Sequence, residues 1–177
     1  MQTTKDYIRK LLLETAQKAF FEKGFKSVSM REISKLSGIG LSNIYNYFSC
    51  KDDIFVQIVT PAVRTFENML DEHHGRRGTD IIAMCDRDYF KYMVDEYTSF
   101  IHRHRDLLLL LLFRSQGSSL ENYKEEFARK STALVKEYFT LMKHKHPQLE
   151  TDISDFSIRM HTVWMFALFE ELLMRRG

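Results

Sequence analysis

Histidine and cysteine are the first side chains of this sequence to consider as metal ligands or nucleophiles. Six of the seven histidines form three close pairs, which are His73-His74, His102-x-His104 and His144-x-His146. No pair combines i, i+4 helical spacing with a nearby acid or cysteine, the arrangement that a zinc site favours. With only Cys50 and Cys85, the chain also lacks a disulfide framework. We therefore predict no metal site and no cofactor, with the paired histidines at the surface and Cys85 buried as a small apolar residue.

A second set of side chains, within one short stretch, has the chemistry of nucleic-acid contact. Asn43 offers the paired donor and acceptor that match adenine N6 and N7, and Leu41 can contact a thymine methyl group. The rings of Tyr45 and Tyr47 can pack on protein while their hydroxyl groups reach phosphate oxygens. Lys51 stands at a predicted helix start, where exposed N–H groups already suit an anion. The alternatives are core packing for the tyrosines, a solvated charge for Lys51 and a helix cap for Asn43.

The elements that must position these side chains are short helices joined by glycine turns. One apolar stripe at helical spacing predicts the first helix: Ile8, Leu12, Ala16, Ala19 and Phe20. Gly24 ends this helix, and Ser29 with Glu32 forms a capping box that opens a second, short helix. After the turn at residues 38–40, a third helix is predicted from Leu41 to Phe48. This succession is the helix-turn-helix pattern, in which the second helix of the pair lies in the DNA major groove.

The remaining sequence predicts further helices. A helix from Lys51 to about residue 73 is expected to link two domains, with Pro61 bending it or marking its first break. His73 to Gly78 is predicted to be a loop. Later helices are expected around Phe90 to Ile101, at Asp106 to Arg114, at about 120–144 and at about 151–175.

Composition favours an all-α fold with two domains. The chain has 177 residues but only 2 prolines and 7 glycines, whereas a β-sandwich or barrel needs a turn about every 8–12 residues. Residues 1–60 contain nine Lys and Arg against six Asp and Glu, a net charge of +3, while residues 61–177 contain 17 against 18, a net charge of −1. We therefore predict a small basic helix-turn-helix domain over residues 1–50 and a larger helical domain over residues 51–177.

Neither a membrane span nor an export signal is predicted. The most apolar run, from Leu107 to Phe113, has seven residues, and about 20 are needed to cross a bilayer. The sequence from Met1 to Asp6 is polar and lacks the apolar core of a signal peptide. Because the sequence also has no glycine-rich phosphate loop and no nucleophile elbow, we expect a cytoplasmic protein that is not an enzyme.

Four signatures occur together between residues 20 and 55. They are the Phe20 to Phe25 turn, the core positions Ile33 and Gly38, the run Ile44-Tyr45-x-Tyr47-Phe48 and the run Lys51-Asp52-Asp53-Ile54-Phe55. In combination they closely resemble the DNA-binding region of the TetR family of bacterial transcriptional regulators, and the likeness extends over about residues 4 to 58. Two positions depart from the family pattern, since Gly40 replaces a serine or threonine cap and Leu41 replaces a polar or basic residue.

The resemblance implies an all-helical repressor that dimerises through its C-terminal domain, holds a small-molecule pocket there and leaves a palindromic duplex operator when the ligand binds. The positions that it assigns to DNA contact are Ser29, Leu41, Ser42, Asn43, Tyr45, Tyr47 and Lys51. Of these, Tyr47 and Lys51 match phosphate-binding positions and Ser29 matches a helix cap near the DNA backbone. The other four match positions that face the groove.

The chain has 23 aromatic residues and nine methionines, which suit an adaptable apolar pocket. We expect an apolar or amphipathic small molecule to bind between the helices of residues 80–175. The residues predicted to contact it are Tyr97, Phe100, Phe113, His161 and Trp164. Core packing is the alternative for the aromatic residues, and a buried, hydrogen-bonded position is the alternative for His161.

The last predicted helix is apolar on two sides. One stripe comprises Ile153, Phe156, Met160, Val163, Trp164 and Ala167, and another comprises Ile158, Met165, Leu168 and Leu172. Because a single core covers only one side, the helices at about 120–144 and 151–175 are predicted to form a four-helix bundle in a two-fold homodimer. Two alternatives stay open: an adaptor of the same fold whose C-terminal domain binds a protein partner, and a helical enzyme that contains a helix-turn-helix.

Overall fold

The structure, a computed structural model, describes residues 4–76 and 78–175, and every regular element in these residues is helical. Besides a 3₁₀ turn at Phe25–Ser27, the helices are α1 (Thr4–Lys23), α2 (Met30–Ser37), α3 (Leu41–Ile44), α4 (Lys51–His74), α5 (Ile81–Met84), α6 (Arg87–Arg103), α7 (Arg105–Phe113), α8 (Tyr123–Lys145) and α9 (Asp155–Met174). The prediction of an all-α fold is confirmed. None of these helices is both long and apolar enough to cross a lipid bilayer.

The chain forms two compact units, and their division does not follow the predicted boundary at residue 50. Unit 1 contains the residues up to Ala62 together with Asp106–Asn122, and unit 2 contains Val63–Arg105 together with the residues from Tyr123 onward. The functional domains predicted over residues 1–50 and 51–177 stay a prediction.

Long-range contacts bring α7 and the segment after it into unit 1. The Phe25 N–H donates to the Arg114 carbonyl at 2.9 Å, and the Ser119 N–H donates to the Asp52 carboxylate at 2.8 Å. The buried residues of α7 are Leu108, Leu110 and Leu111. Since these partners lie far apart in the sequence, no local pattern predicts that they belong to one unit.

The apolar stripe of α1 forms part of the core of unit 1. Its buried residues are Leu12, Ala16, Ala19 and Phe20, as the helical spacing predicts, while Ile8 is half-buried. The rings of Phe20, Phe25 and Phe55 pack against one another with centroids between 5.1 and 5.6 Å apart. Offset and edge-on contacts of this kind stabilise a core beyond the burial of apolar area.

Local capping interactions define α2. Ser29 Oγ accepts a hydrogen bond from the Glu32 N–H at 3.2 Å, so one half of the predicted capping box is present. The Glu32 carboxylate pairs instead with Lys23 Nζ at 2.5 Å. Gly38 follows the helix with φ of +71°, a left-handed conformation that glycine adopts without strain.

The third helix is shorter than the predicted span of Leu41 to Phe48. Its α-helical part ends at Ile44, and the N–H groups of Asn46 and Tyr47 then donate to carbonyl oxygens three residues back, at 3.1 and 2.9 Å. Such bonds tighten the end of a helix into a turn. Ile44 and Phe48 are both buried, as predicted.

α4 continues through Pro61 to His74 without interruption. The break, one of the two outcomes predicted for Pro61, does not occur. Pro61 is exposed, and the adjacent Ala62 is buried. The predicted loop from His73 to Gly78 is also wrong in its first two residues, because His73 and His74 form the last turn of α4. Arg77, within that predicted loop, lies outside the described residues.

One phenylalanine lies at the centre of the aromatic core of unit 2. The Phe66 ring, on α4, is stacked on Phe100 of α6 at 5.4 Å and on Phe127 of α8 at 4.3 Å. Phe166 and Phe169 of α9 approach the same ring at 5.6 and 5.5 Å. Four helices therefore meet around Phe66.

His73 contradicts the prediction that the paired histidines lie at the surface. It is 3% exposed, with Nδ1 2.6 Å from the Tyr89 hydroxyl and Nε2 2.7 Å from the Glu96 carboxylate. Both ring nitrogens therefore have partners, which is how a buried polar side chain is tolerated. His102 and His144 are exposed, as predicted.

α5 is a short helix that the sequence pattern did not predict. The Asp80 carboxylate caps it by accepting from the Ile82 N–H at 2.9 Å. The same carboxylate pairs with Lys145 and lies 3.0 Å from His146 Nε2, at the end of α8. Hydrogen bonds from Lys145 and then His146 lower the pKa of Asp80 well below its ordinary value. One ionised side chain thus joins the start of α5 to α8.

Replacing the central ring tests this description of unit 2. Phe66→Ala should lower the free energy of unfolding by about 3–5 kcal/mol, because four other rings lose their common contact and a cavity remains. Phe90→Ala is the matched control: its ring is 68% exposed, so stability should change by less than about 0.5 kcal/mol. Urea unfolding followed by circular dichroism measures both variants. Equal losses would contradict the central position of Phe66.

Candidate DNA interface and unit 2 cavity

Serine side chains hold the turn between α2 and α3. Ser34 Oγ donates to the Ile39 carbonyl at 2.7 Å. Ser37 Oγ donates to the Ile33 carbonyl at 2.7 Å and accepts from the Ile39 N–H at 3.3 Å. Because these bonds satisfy backbone groups at the end of α2, they fix the direction in which the chain enters α3.

α3 has a buried side and an exposed side. Ile44 is fully buried and anchors the helix to unit 1. Among the predicted contact residues, the exposed ones are Ser42, Asn43 and Tyr45, and the half-buried ones are Leu41 and Tyr47. Ser29, at the start of α2, is exposed as well. All seven residues predicted to contact DNA belong to unit 1, and their contacts with DNA stay a prediction.

Asn46 is an exposed residue next to α3 that the sequence analysis did not select. Its Nδ2 donates to Asn43 Oδ1 at 3.2 Å. This bond orients the Asn43 amide, the group predicted to read a base edge. The signal was available in the sequence, because residues three apart are neighbours on a helical turn.

The Lys51 ammonium group is bound within unit 1. It donates to the Phe25 carbonyl at 2.8 Å and to the Val28 carbonyl at 2.7 Å, and it lies 4.1 Å from the centre of the Phe25 ring. Burial lowers the pKa of Lys51. The side chain therefore holds the turn before α2 to the start of α4, a structural role that its position in the sequence did not reveal.

Unit 2 contains a cavity of about 320 Å³ between α4, α6, α8 and α9. Its lining is mainly apolar and aromatic, with several hydroxyl and imidazole groups. The lining residues are Phe66, Leu70, His74, Tyr97, Phe127, Ser131, Val135, Phe139, Ile153, Ser157, Ile158, His161, Thr162 and Met165. A concave, mostly apolar site with a few polar groups is typical of small-molecule pockets.

The structure places only two of the five predicted ligand residues in this cavity, Tyr97 and His161. Phe100 is not part of its lining; it is buried and stacked on the Phe66 ring. Phe113 belongs to unit 1, where α7 packs. Trp164 lies on the outward side of α9 and is 63% exposed. His161 is itself exposed, so the alternative of a buried, core histidine is wrong.

Four polar residues of the lining were not predicted from the sequence: His74, Ser131, Ser157 and Thr162. Burial lowers the pKa of His74 to about 4, and the nearby His73 and His161 act in the same direction, so His74 is uncharged at neutral pH. The hydroxyl oxygens of Ser131 and Thr162 lie 3.3 Å apart. The sequence did hold an indication for Ser131 and Thr162, because each is a small polar residue among the apolar residues on the buried side of its helix.

Both cysteines are exposed as free thiols. The predicted burial of Cys85 is therefore wrong, because it follows α5, a single turn with no buried residue. Within residues 4–76 and 78–175, no group of three or more His, Cys, Asp and Glu side chains is arranged to hold a metal ion.

Comparison with known proteins matches the helix-turn-helix region of this chain to a protein family. The family described as "Bacterial regulatory proteins, tetR family" matches residues 12–58. The uncharacterised HTH-type transcriptional regulator YhgD of Bacillus subtilis is 34% identical over 64 residues, which are 36% of this chain and 34% of YhgD. An uncharacterised HTH-type transcriptional regulator of Haemophilus influenzae is 26% identical over 145 residues, which are 80% of this chain and 66% of that protein. The chain thus spans between about a third and two thirds of these curated relatives.

Solved structures share the fold. A TetR-family regulator from Streptomyces coelicolor A3 has a TM-score of 0.63 at 23% identity, over 94% of this chain and 78% of the other. NalD, the secondary repressor of the MexAB-OprM multidrug efflux pump in Pseudomonas aeruginosa, has a TM-score of 0.58 at 17% identity, over 96% and 83% of the two chains. At these identities the likeness establishes the fold alone.

The chain is all-helical with a helix-turn-helix near its N-terminus, and the curated relatives that it matches are HTH-type transcriptional regulators, a class of DNA-binding protein. The family match over residues 12–58 assigns the helix-turn-helix region of this chain to the TetR family of bacterial regulators, and the solved structures of that family share its fold. The resemblance found in the sequence is confirmed. Because its relatives are regulators, the prediction that the chain is not an enzyme is confirmed as well.

Removing the Lys51 ammonium group tests its role within unit 1. Lys51→Met should lower the free energy of unfolding by about 1–3 kcal/mol, because two carbonyl oxygens lose a charged donor. Lys35→Met is the matched control, since Lys35 is exposed on α2 and its loss should matter by less than about 0.5 kcal/mol. Urea unfolding gives both values. A Lys51→Met variant as stable as the control would show that the ammonium group does not hold the turn.

Proposed function

We propose that this TetR-family regulator is a repressor that binds a palindromic operator as a homodimer. It leaves the operator when an apolar or amphipathic small molecule enters the unit 2 cavity. NalD, which has the same fold, is described as a repressor. The observation that supports DNA binding most directly is the exposed polar and aromatic side of α3 above its buried anchor, Ile44. Since the proposed target is duplex DNA, the proposed site of action is the bacterial cytoplasm.

The exposed residues of α3 have the chemistry to read base edges. Asn43, oriented by Asn46, offers an amide donor and acceptor to adenine. Tyr45 is 52% exposed, which leaves its ring and hydroxyl available for contact. Ser42 provides a hydroxyl beside them, and Leu41 an apolar group for a thymine methyl. These four residues are the proposed groove contacts.

Two residues are proposed to bind phosphate oxygens. Tyr47 is half-buried in unit 1, which suits a ring that packs on protein while its hydroxyl reaches a phosphate oxygen. An ammonium group has three donors, and the Phe25 and Val28 carbonyls occupy two of those on Lys51. A phosphate contact by Lys51 therefore uses the third. Ser29, exposed at the α2 cap, is the proposed neighbour of the DNA backbone.

The outward side of α9 supports the proposed homodimer. Its apolar side chains there are 43% to 71% exposed: Phe156, Met160, Val163, Trp164, Leu168 and Leu172. Contiguous exposed apolar surface of this kind marks an interaction site. The outward side of α8 is mainly polar, with Arg129 and Glu137 exposed, so α9 provides the larger apolar share of a four-helix interface built from α8 and α9.

DNA reading itself requires two copies. The α-helical part of α3 has four residues, too few to specify a long site. A two-fold pair of such helices reads two half-sites about one DNA turn apart. The symmetry of the proposed dimer then matches the symmetry of a palindromic operator.

Release by a ligand is proposed from the unit 2 cavity. A ligand that favours the DNA-free conformation must bind that conformation more tightly, and operator DNA must then weaken ligand binding by the same factor. Calorimetric titration of the protein with and without operator measures this reciprocity.

A protein-binding adaptor is the second candidate, favoured by Phe90 and Val94, which are both exposed one turn apart on α6. A ligand that stabilises the protein without changing its DNA affinity would favour the adaptor.

Selection of bound sites from random duplex DNA is the experiment that tests the proposed function. We expect the recovered sequences to share two inverted half-sites with centres about one helical turn, or a multiple of it, apart. Recovery without any common sequence would contradict specific operator binding. Recovery of a single, unrepeated half-site would contradict the homodimer.

Asn43→Ala should relax the preference at one base pair in each half-site, at a cost of about 1–3 kcal/mol for the preferred base. Asn122→Ala is the matched control, since Asn122 is exposed in unit 1 outside the helix-turn-helix. Fluorescence anisotropy with operator variants, one for each base at each position, measures the preference. An Asn43→Ala profile identical to that of the control would remove Asn43 from the base contacts.

Leu168→Glu should produce a monomer, because it places a charge within the apolar side of α9, and operator affinity should fall with the loss of the second half-site contact. Val94→Glu is the matched control, with 47% exposure against 43% for Leu168 but a place on α6. Sedimentation velocity gives the oligomeric state of each variant. A Leu168→Glu protein that remains dimeric with full affinity would move the interface away from α9.

A further inference from the structure

We propose that the unit 2 cavity is selective for uncharged ring compounds that carry a hydroxyl or carbonyl group, a ligand class that rests on the ligand-gated function proposed above. The observation that carries this inference is the composition of the wall. Its fourteen described lining residues include histidine, hydroxyl and apolar residues but no Asp, Glu, Lys or Arg. The selectivity follows from the absence of a fixed charge in this wall.

A charged ligand would find no Asp, Glu, Lys or Arg side chain of opposite charge among the described lining residues of this cavity. Moving an ion from water into mainly apolar surroundings is unfavourable unless a partner charge or several hydrogen bonds compensate it. His74 does not compensate an anion, since burial lowers its pKa to about 4 and leaves it uncharged. Cations and anions of a given shape therefore both bind less well than the neutral molecule.

Aromatic side chains make the wall suited to a flat ligand. Phe66 and Phe127 lie nearly parallel, and Tyr97 and Phe139 line the same cavity. Aromatic faces and edges attract another ring through offset or edge-on packing. The volume of about 320 Å³ is near the lower end of the usual range of about 300–1,000 Å³ for such sites. One or two fused rings match this space.

Hydroxyl groups provide the polar contacts. Ser131 on α8 and Thr162 on α9 are each 4% exposed, and their oxygens lie 3.3 Å apart in the wall. Each hydroxyl group has one donor and two acceptor positions, and Thr162 Oγ1 also lies 3.5 Å from the Ile158 carbonyl. The pair therefore keeps free acceptor positions and, when Thr162 donates to Ser131, the Ser131 donor as well. A ligand hydroxyl or carbonyl can pair with these free positions without introducing a charge.

Three naphthalene derivatives of similar shape test the ligand class. They are 2-naphthol, which is neutral, 2-naphthoate, an anion, and 2-naphthylmethylammonium, a cation. Isothermal titration calorimetry of the full chain at neutral pH, without DNA, should show 2-naphthol binding about tenfold or more tightly than either ion. Binding of an ion as tightly as 2-naphthol would overturn the inference. No binding of 2-naphthol up to its solubility limit would overturn it too.

A substitution in the cavity wall tests whether the naphthalene probes bind in the unit 2 cavity. His161 lines the cavity and is exposed, so His161→Glu adds a carboxylate to the wall without disturbing the core. It should raise the affinity for 2-naphthylmethylammonium about tenfold and weaken 2-naphthoate. His144→Glu is the matched control, because His144 is exposed on α8 outside the lining and the change in charge is the same. Equal effects of the two variants would show that these probes bind elsewhere.

Measuring operator affinity in the presence of each probe tests the proposed ligand class and the proposed ligand-gated release separately. If 2-naphthol binds selectively but leaves the affinity for operator DNA unchanged in fluorescence anisotropy, the ligand class is supported and ligand-gated release is contradicted. If the ammonium compound binds as tightly as 2-naphthol and also releases DNA, the ligand class is contradicted and ligand-gated release is supported.

Discussion

Aromatic packing along α4 is the interaction on which both units depend. Its buried residues recur three or four positions apart and include Phe55, Val59, Ala62, Phe66, Met69 and His73. Phe55 joins the ring cluster of unit 1, and Phe66 is the central ring of unit 2. A single helical stripe therefore supplies the cores of both units. The stripe ends at His73, where hydrogen bonds to Tyr89 and Glu96 take the place of apolar contacts.

The short helix α3, which carries most of the proposed DNA contacts, gains little order from its own length. Four residues are fewer than a stable isolated helix requires, so the orientation of α3 must come from its surroundings. Ser34 and Ser37 supply it through the preceding turn, and the buried Ile44 supplies it from beneath. Lys51 contributes from the next helix by binding two carbonyl oxygens. Because these contacts fix the orientation of α3, its exposed side chains can be polar without loss of that orientation.

Local chemistry was predictable from the sequence, and long-range contacts were not. The cap at Ser29 and the end of α2 at Gly38 follow from neighbouring residues, so the helix-turn-helix could be predicted. Residue type likewise indicated what Asn43 could recognise. The partners of Lys51 and the association of the segment around Arg114 with unit 1 depend on folding of distant sequence. For the same reason an apolar stripe alone did not show which aromatic residues line a cavity and which pack elsewhere.

The two cysteines of this chain offer a means of following its motion. Cys50 lies in unit 1 and Cys85 in unit 2, and both thiols are exposed. They are the two cysteines of this sequence, so this chain accepts one spectroscopic label on each unit without any substitution. Spin labels or a fluorophore pair at these positions can measure the distance between the two units in the free, ligand-bound and DNA-bound protein.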